Sequence, residues 1–168
     1  MLEILRAHGL DAGPTQRPLI AGALSGIVAD GAALPVLASF GSLDVLGDGI
    51  GRSAWLAAGL HVVAMCAGGA LYGQVFRRAA NDTRGAWLFG LAYGFLLWMI
   101  GAVPLLQWWP TGPLLVGGPA AGVLLGQLAW GLALGVLFPF VHRPLKLSLA
   151  DAQSRARPGS GLFGAGRR

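Results

Sequence analysis

Four separate apolar runs, at about 18–40, 54–76, 86–108 and 119–141, decide what this chain can fold into. Each is long enough to cross the hydrocarbon core of a bilayer, which takes about 20 residues of helix. Strands that span a membrane would be about ten residues long and alternate polar with apolar side chains. No run here alternates in that way. The expected fold is an all-α membrane protein with four transmembrane helices. Pro18 suits the first turn of the first helix. Arg77-Arg78 close the second span, Trp108-Trp109-Pro110 the third and His142-Arg143-Pro144 the fourth. The chain then divides into an N-terminal segment (1–17), a transmembrane domain (18–141) and a basic tail (142–168) that is Gly-, Ser-, Pro- and Arg-rich from Asp151 and expected to be disordered alone.

Charge placement sets the orientation. Only 11% of the residues are charged, against about 25% in soluble domains. The net charge of +5 comes from residues that flank the apolar runs rather than from a basic patch, which argues against a nucleic-acid partner. Arg6, Arg17, Arg77, Arg78, Arg84, Arg143, Lys146, Arg155, Arg157, Arg167 and Arg168 fall on one side and only Arg52 on the other. By the positive-inside rule both termini and the middle loop are cytoplasmic. Trp108 and Trp109 then anchor the opposite interface, and Arg77 and Arg78 the cytoplasmic one. Glu3, Asp11 and the early arginines interrupt the first seventeen residues, so the N-terminus does not read as a cleaved signal peptide.

Glycines recur four residues apart. Gly22 and Gly26 in the first span precede Ala33-Leu34-Pro35, and Gly90 and Gly94 in the third precede Ala102-Val103-Pro104, one residue further along. Gly69 and Gly73 precede Phe76, as Gly131 and Gly135 precede Phe138. The pattern suggests a two-plus-two parallel repeat, while the abundance of glycine, 28 residues, supplies such matches without one. Small residues at this spacing let helix backbones approach closely. Gly118, Gly122 and Gly126 give the fourth span a second small face, for packing in the bundle or against a partner subunit.

Asp30 lies near the middle of the first span, where a carboxylate costs about 2.5–3.5 kcal/mol on insertion scales. It should face the bundle and be protonated or paired. At ~1.5 Å per residue it sits about 18 Å from the cytoplasmic end, with His61 at about 22 Å and Gln127 at about 21 Å. Three polar side chains at one depth can form a register-fixing hydrogen-bonded knot, a proton relay or a ligand contact. His61 and Met65 share a helix face, which admits copper or haem iron as a second reading. Ala57 four residues before His61 also matches the small-residue-before-His pattern of (bacterio)chlorophyll helices, without the Trp context that follows it there. The plain reading of His61 is a buried histidine, and the sequence requires no cofactor. Cys66 is the single cysteine and reads as a small hydrophobe. Asp44 and Asp48 read as a solvated turn. Gly47 to Gly51 lack the strand and lysine of a phosphate loop. No nucleophile triad or zinc spacing occurs, and no enzymatic activity is expected.

Leu60-His61, Gly69-Ala70-Leu71-Tyr72-Gly73 and the stretch from Phe89 through Tyr93 and Gly94 to Trp98 resemble a family of small four-helix membrane proteins. That family has no assigned function or functional residues and is sometimes found near haem–copper oxidase genes in bacteria and archaea. The resemblance covers about a third of the chain, in the second and third spans, and implies a tilt towards energy-transducing membranes; the expected location is the inner membrane of a prokaryote. The functional expectation is a non-catalytic accessory subunit of a respiratory or photosynthetic membrane complex, with lipid and other membrane subunits as partners. Two alternatives stand beside it: a small oligomeric transporter or channel using Asp30 and His61, and a haem- or bacteriochlorophyll-binding protein with His61 as ligand.

Overall fold

A computed structural model describes residues 18–76, 84–108 and 116–155, with side chains as far as Leu145. All regular structure among the described residues is helical. Helix α1 runs Pro18–Ser39, α2 Ser42–Gly49, α3 Ala54–Val75, α4 Ala86–Leu97, α5 Val103–Gln107 and α6 Gly118–Arg155. A π-helical turn at Trp98–Ala102 joins α4 to α5, so that Ala86–Gln107 form one continuous span. Among the described residues four helices are long and apolar enough to cross a membrane: Pro18–Ser39, Ala54–Val75, Ala86–Gln107 and Gly118–Leu145. In lipid such segments must satisfy their backbone polar groups internally, which a helix does.

Two expectations need correction. The fourth helix does not stop at His142-Arg143-Pro144. It continues to Arg155 with Pro139 and Pro144 inside it, reaching into the stretch expected to be disordered. The loop between the first two spans is not a simple turn either. Gly41 (φ 67°) and Gly51 (φ 66°) bracket it in left-handed conformations, and between them α2 folds Leu43 into the core while Asp44 and Asp48 stay exposed.

Packing follows residue size. The buried positions of α1 are mostly small, including Ala21, Gly22, Ser25, Gly26, Ala29 and Ala33, while Leu19, Ile20, Leu24, Ile27 and Val28 point outward. Small residues inside and large apolar ones outside is the arrangement that suits lipid, where close backbone approach rather than exclusion of water holds helices together. Helix α1 packs on both α3 and α6, and α6 packs on α4. The four spans are therefore linked in the spatial order second, first, fourth, third.

The two hairpins are assembled on matching rungs. In the first, a Cβ on Gly73 would overlap the Pro18 carbonyl, one on Gly22 the Gly69 carbonyl and one on Gly26 the Met65 carbonyl. Asp30 against His61 is the next rung, again four residues along each helix. In the second hairpin, Gly135 meets the Ala86 carbonyl, Gly90 the Gly131 carbonyl and Gly94 the Gln127 carbonyl. The position equivalent to Asp30 is Trp98 and that equivalent to His61 is Val123, both part of one apolar cluster. The π turn begins at Trp98. A π turn of this kind adds a residue to a helix, and Ala102-Val103-Pro104 follows Gly94 one position later than Ala33-Leu34-Pro35 follows Gly26.

The remaining glycine faces are used inside the chain as well. A side chain at Gly122 would strike Ser42 and Phe40, and one at Gly126 would press on Leu37. Ser42 donates its hydroxyl to the Pro119 carbonyl at 2.8 Å, fixing α2 to the start of α6. Gly118 lies by the Phe40 carbonyl. The second small face of α6 thus serves contacts with α1 and α2.

Candidate functional site

Asp30 is enclosed, at 1% relative exposure, because it continues the line of Gly22 and Gly26 into the α1–α3 interface. His61 answers it from α3 with Nδ1 2.9 Å from Asp30 Oδ1. That is hydrogen-bonding distance, although the imidazole is not turned into alignment, and both carboxylate oxygens remain without an aligned donor. The pairing answers the cost of placing a carboxylate in a membrane span.

On its other side His61 borders a cavity of about 550 Å³. Its inner wall carries the buried residues Leu37, Met65, Tyr93, Leu106, Val123 and Gln127. Its rim carries the exposed residues Ala64, Ala67 and Leu71 on α3 and Gly101 and Leu105 on the third span. The space is a cleft between the second and third spans, the two ends of the order above, which meet only along part of their length. At one end the two spans meet through aromatic rings: Tyr72 and Tyr93 lie 5.3 Å apart by ring centroids, Phe76 and Phe89 6.1 Å. Tyr93 donates its hydroxyl to the Gly68 carbonyl at 2.9 Å across the same gap. Trp130 of α6 stands behind Gly68 and donates its indole N–H to the Gly26 carbonyl at 2.9 Å. Away from this clasp the spans separate, and the π turn contributes Gly101 and Ala102 to the cleft wall.

Polar groups on this wall are few, and two of them have unmet capacity. Gln127 Oε1 is buried without a hydrogen-bond partner. His61, whose Nδ1 faces Asp30 without an aligned hydrogen bond, lines the cleft as well. Trp98 beside the cleft also buries an indole N–H that meets no acceptor.

Of the three polar residues expected at one depth, His61 and Gln127 share the cleft and Asp30 stands behind His61. Met65 lines the same wall as His61. Cys66 is a free, partly buried thiol, and His142 is buried against Phe138 with ring centroids 5.4 Å apart, well along α6 from Gln127. Among the described residues no group of three or more His, Cys, Asp and Glu is arranged to hold a metal. Trp108 ends the third span in an exposed position, while Trp109, Arg77 and Arg78 lie outside the described residues. The cleft itself was not anticipated from sequence, nor were the roles of Tyr93 and Trp130. The one-residue offset between the two Pro-containing motifs was the available signal for the π turn.

No family model, no curated protein and no solved structure matches this chain.

Proposed function

We propose that this chain is a multi-pass inner-membrane protein that binds a lipid-soluble small molecule in the cleft between its second and third spans, with the Asp30–His61 pair as the polar anchor. The observation that carries this reading is the cleft itself. Its volume of about 550 Å³ falls within the range of about 300–1,000 Å³ typical of small-molecule sites, which are likewise mostly apolar with a few convergent polar groups. An ionisable residue inside a membrane span is a functional-site hypothesis by default, and here it backs the residue that faces the cavity. Binding from the lipid phase is the step that a carrier and a cofactor-holding protein share, so both alternatives raised by the sequence meet at this site. The glycine faces are covered by the chain's own helices, so an accessory role in a larger complex would be exercised through the bound molecule rather than through those faces.

In this reading both termini and the 77–83 loop face the cytoplasm, as the arginine distribution requires. The matched glycine rungs favour descent from a duplicated helical hairpin, with both halves entering the membrane in the same direction. A duplicated pair related by a two-fold would close the second-to-third contact as it closes the first-to-fourth. The cleft then marks where the halves diverged, with Asp30 and His61 in one half and Trp98 and Val123 in the other.

Organic extraction of protein purified in mild detergent, followed by mass spectrometry, tests the proposal. A near-stoichiometric lipid-soluble compound, lost when Gly101→Phe plugs the cleft, is expected. The same bulk lipids in both preparations would contradict it.

A further inference from the structure

We infer that the molecule taken by the cleft is an uncharged, lipid-soluble alcohol or phenol whose hydroxyl is held between His61 and Gln127. This deepens the binding reading above and rests on it.

The argument begins with the charge of the Asp30–His61 pair. A net charge at this depth is strongly disfavoured, and two arrangements of the pair carry none. Either the carboxylate is ionised beside a doubly protonated imidazole, or a carboxylic acid donates to Nδ1 of a neutral one. Were Nδ1 to bond Asp30, which it faces at 2.9 Å without alignment, Nε2 would carry a hydrogen in both arrangements. His61 then presents the cleft with a donor whichever atom holds the shared proton. Gln127 Oε1, buried and unpartnered on the same wall, presents an acceptor. A hydroxyl satisfies both, accepting from one and donating to the other.

Other occupants leave something unmet. The acyl chain of a bilayer lipid fills the apolar space and leaves both polar groups unpaired in a medium without water. An ether or ketone accepts from His61 and gives Gln127 Oε1 nothing. An anionic head group returns to the site the net charge that the Asp30–His61 pairing removes. The apolar rim of Ala64, Ala67, Leu71 and Leu105 accommodates the hydrocarbon part of such an alcohol.

Photolabelling of the purified protein in lipid nanodiscs tests this directly, with three probes of equal chain length: a diazirine-bearing long-chain alcohol, its methyl ether and the corresponding alkane. The alcohol is expected to label the rim residues of α3 and the third span about tenfold more strongly than the alkane, the ether falling between them. Gln127→Leu should erase the advantage of alcohol over ether, and His61→Phe the advantage of either over the alkane. The comparison of probes on the unaltered protein stands even if a variant fails to fold. Equal labelling of the cleft by alcohol and alkane would overturn the assignment of a hydroxyl while leaving the cleft as a binding site. Absence of cleft labelling by every probe would overturn both.

Discussion

Asp30 faces His61 at 2.9 Å on the fourth of a series of α1–α3 rungs whose first three are glycine contacts, so the intramembrane carboxylate sits in register with the closest backbone packing in the hairpin. The glycines bring α1 and α3 near enough for the pair to form, and the pair then occupies the first rung where side chains replace backbone contact. Single substitutions should therefore be asymmetric. His61→Ala leaves the buried carboxyl of Asp30 unpaired and should destabilise the fold, by up to about 3–5 kcal/mol where that group is ionised. Asp30→Asn removes the charge and should leave assembly intact. The double change to leucine should be neutral or stabilising, by up to about 4 kcal/mol, with binding lost. Denaturant or thermal unfolding in detergent measures all three.

The glycine rungs make a second prediction. At Gly69 an added methyl would strike the Gly22 carbonyl and the Gly26 backbone, whereas at Gly31 it would meet nothing. Gly69→Ala should cost about 1–3 kcal/mol through overpacking. Gly31→Ala should be neutral or stabilise by up to about 1 kcal/mol through helix propensity. Unfolding midpoints of the two variants decide the matter, and similar values would mean that the rungs are not close-packed.

One hydrogen bond holds the closed end of the cleft and a second lies behind it, between the fourth and first spans. Tyr93→Phe removes the donor to Gly68 and Trp130→Phe the donor to Gly26. Each should cost about 0.5–1.5 kcal/mol. Only Tyr93→Phe breaks a bond between the second and third spans, so it should raise hydrogen exchange at the α3 and α4 ends bearing Phe76 and Phe89, as Trp130→Phe should not.

Orientation gives a fourth prediction. In a Cys66→Ala background, Asn81→Cys should react with a membrane-impermeant thiol reagent only from the cytoplasmic side, and Asp48→Cys only from the opposite side. The reverse pattern would turn the whole assignment over.

Much of the fold was readable because each span is nearly free of charge and bounded by residues that cannot enter lipid. The spans expected at 18–40, 54–76 and 86–108 end as helices at Ser39, Val75 and Gln107, within a residue of the expectation. The fourth was cut short because His142, Arg143 and Pro144 read as a stop. Proline there removes hydrogen bonds from a helix already propagating, and the helix tolerates that loss. Asp30 and His61 were legible as a pair through depth alone. The cleft was not, since it arises from a contact the chain does not make, and the residues that border it, Ala64, Gly101 and Leu105 among them, look in sequence like any others that face lipid. The π turn is a local event without a composition signature, visible only as a slip of one residue between two similar motifs.

The most direct test of the account is an experimental structure of the protein in lipid nanodiscs, read for density between the second and third spans. The account predicts an elongated non-protein feature within the cleft that ends in hydrogen-bonding reach of His61 Nε2 and Gln127 Oε1. Second and third spans packed against each other as the first and fourth are, with no space left between them, would contradict it.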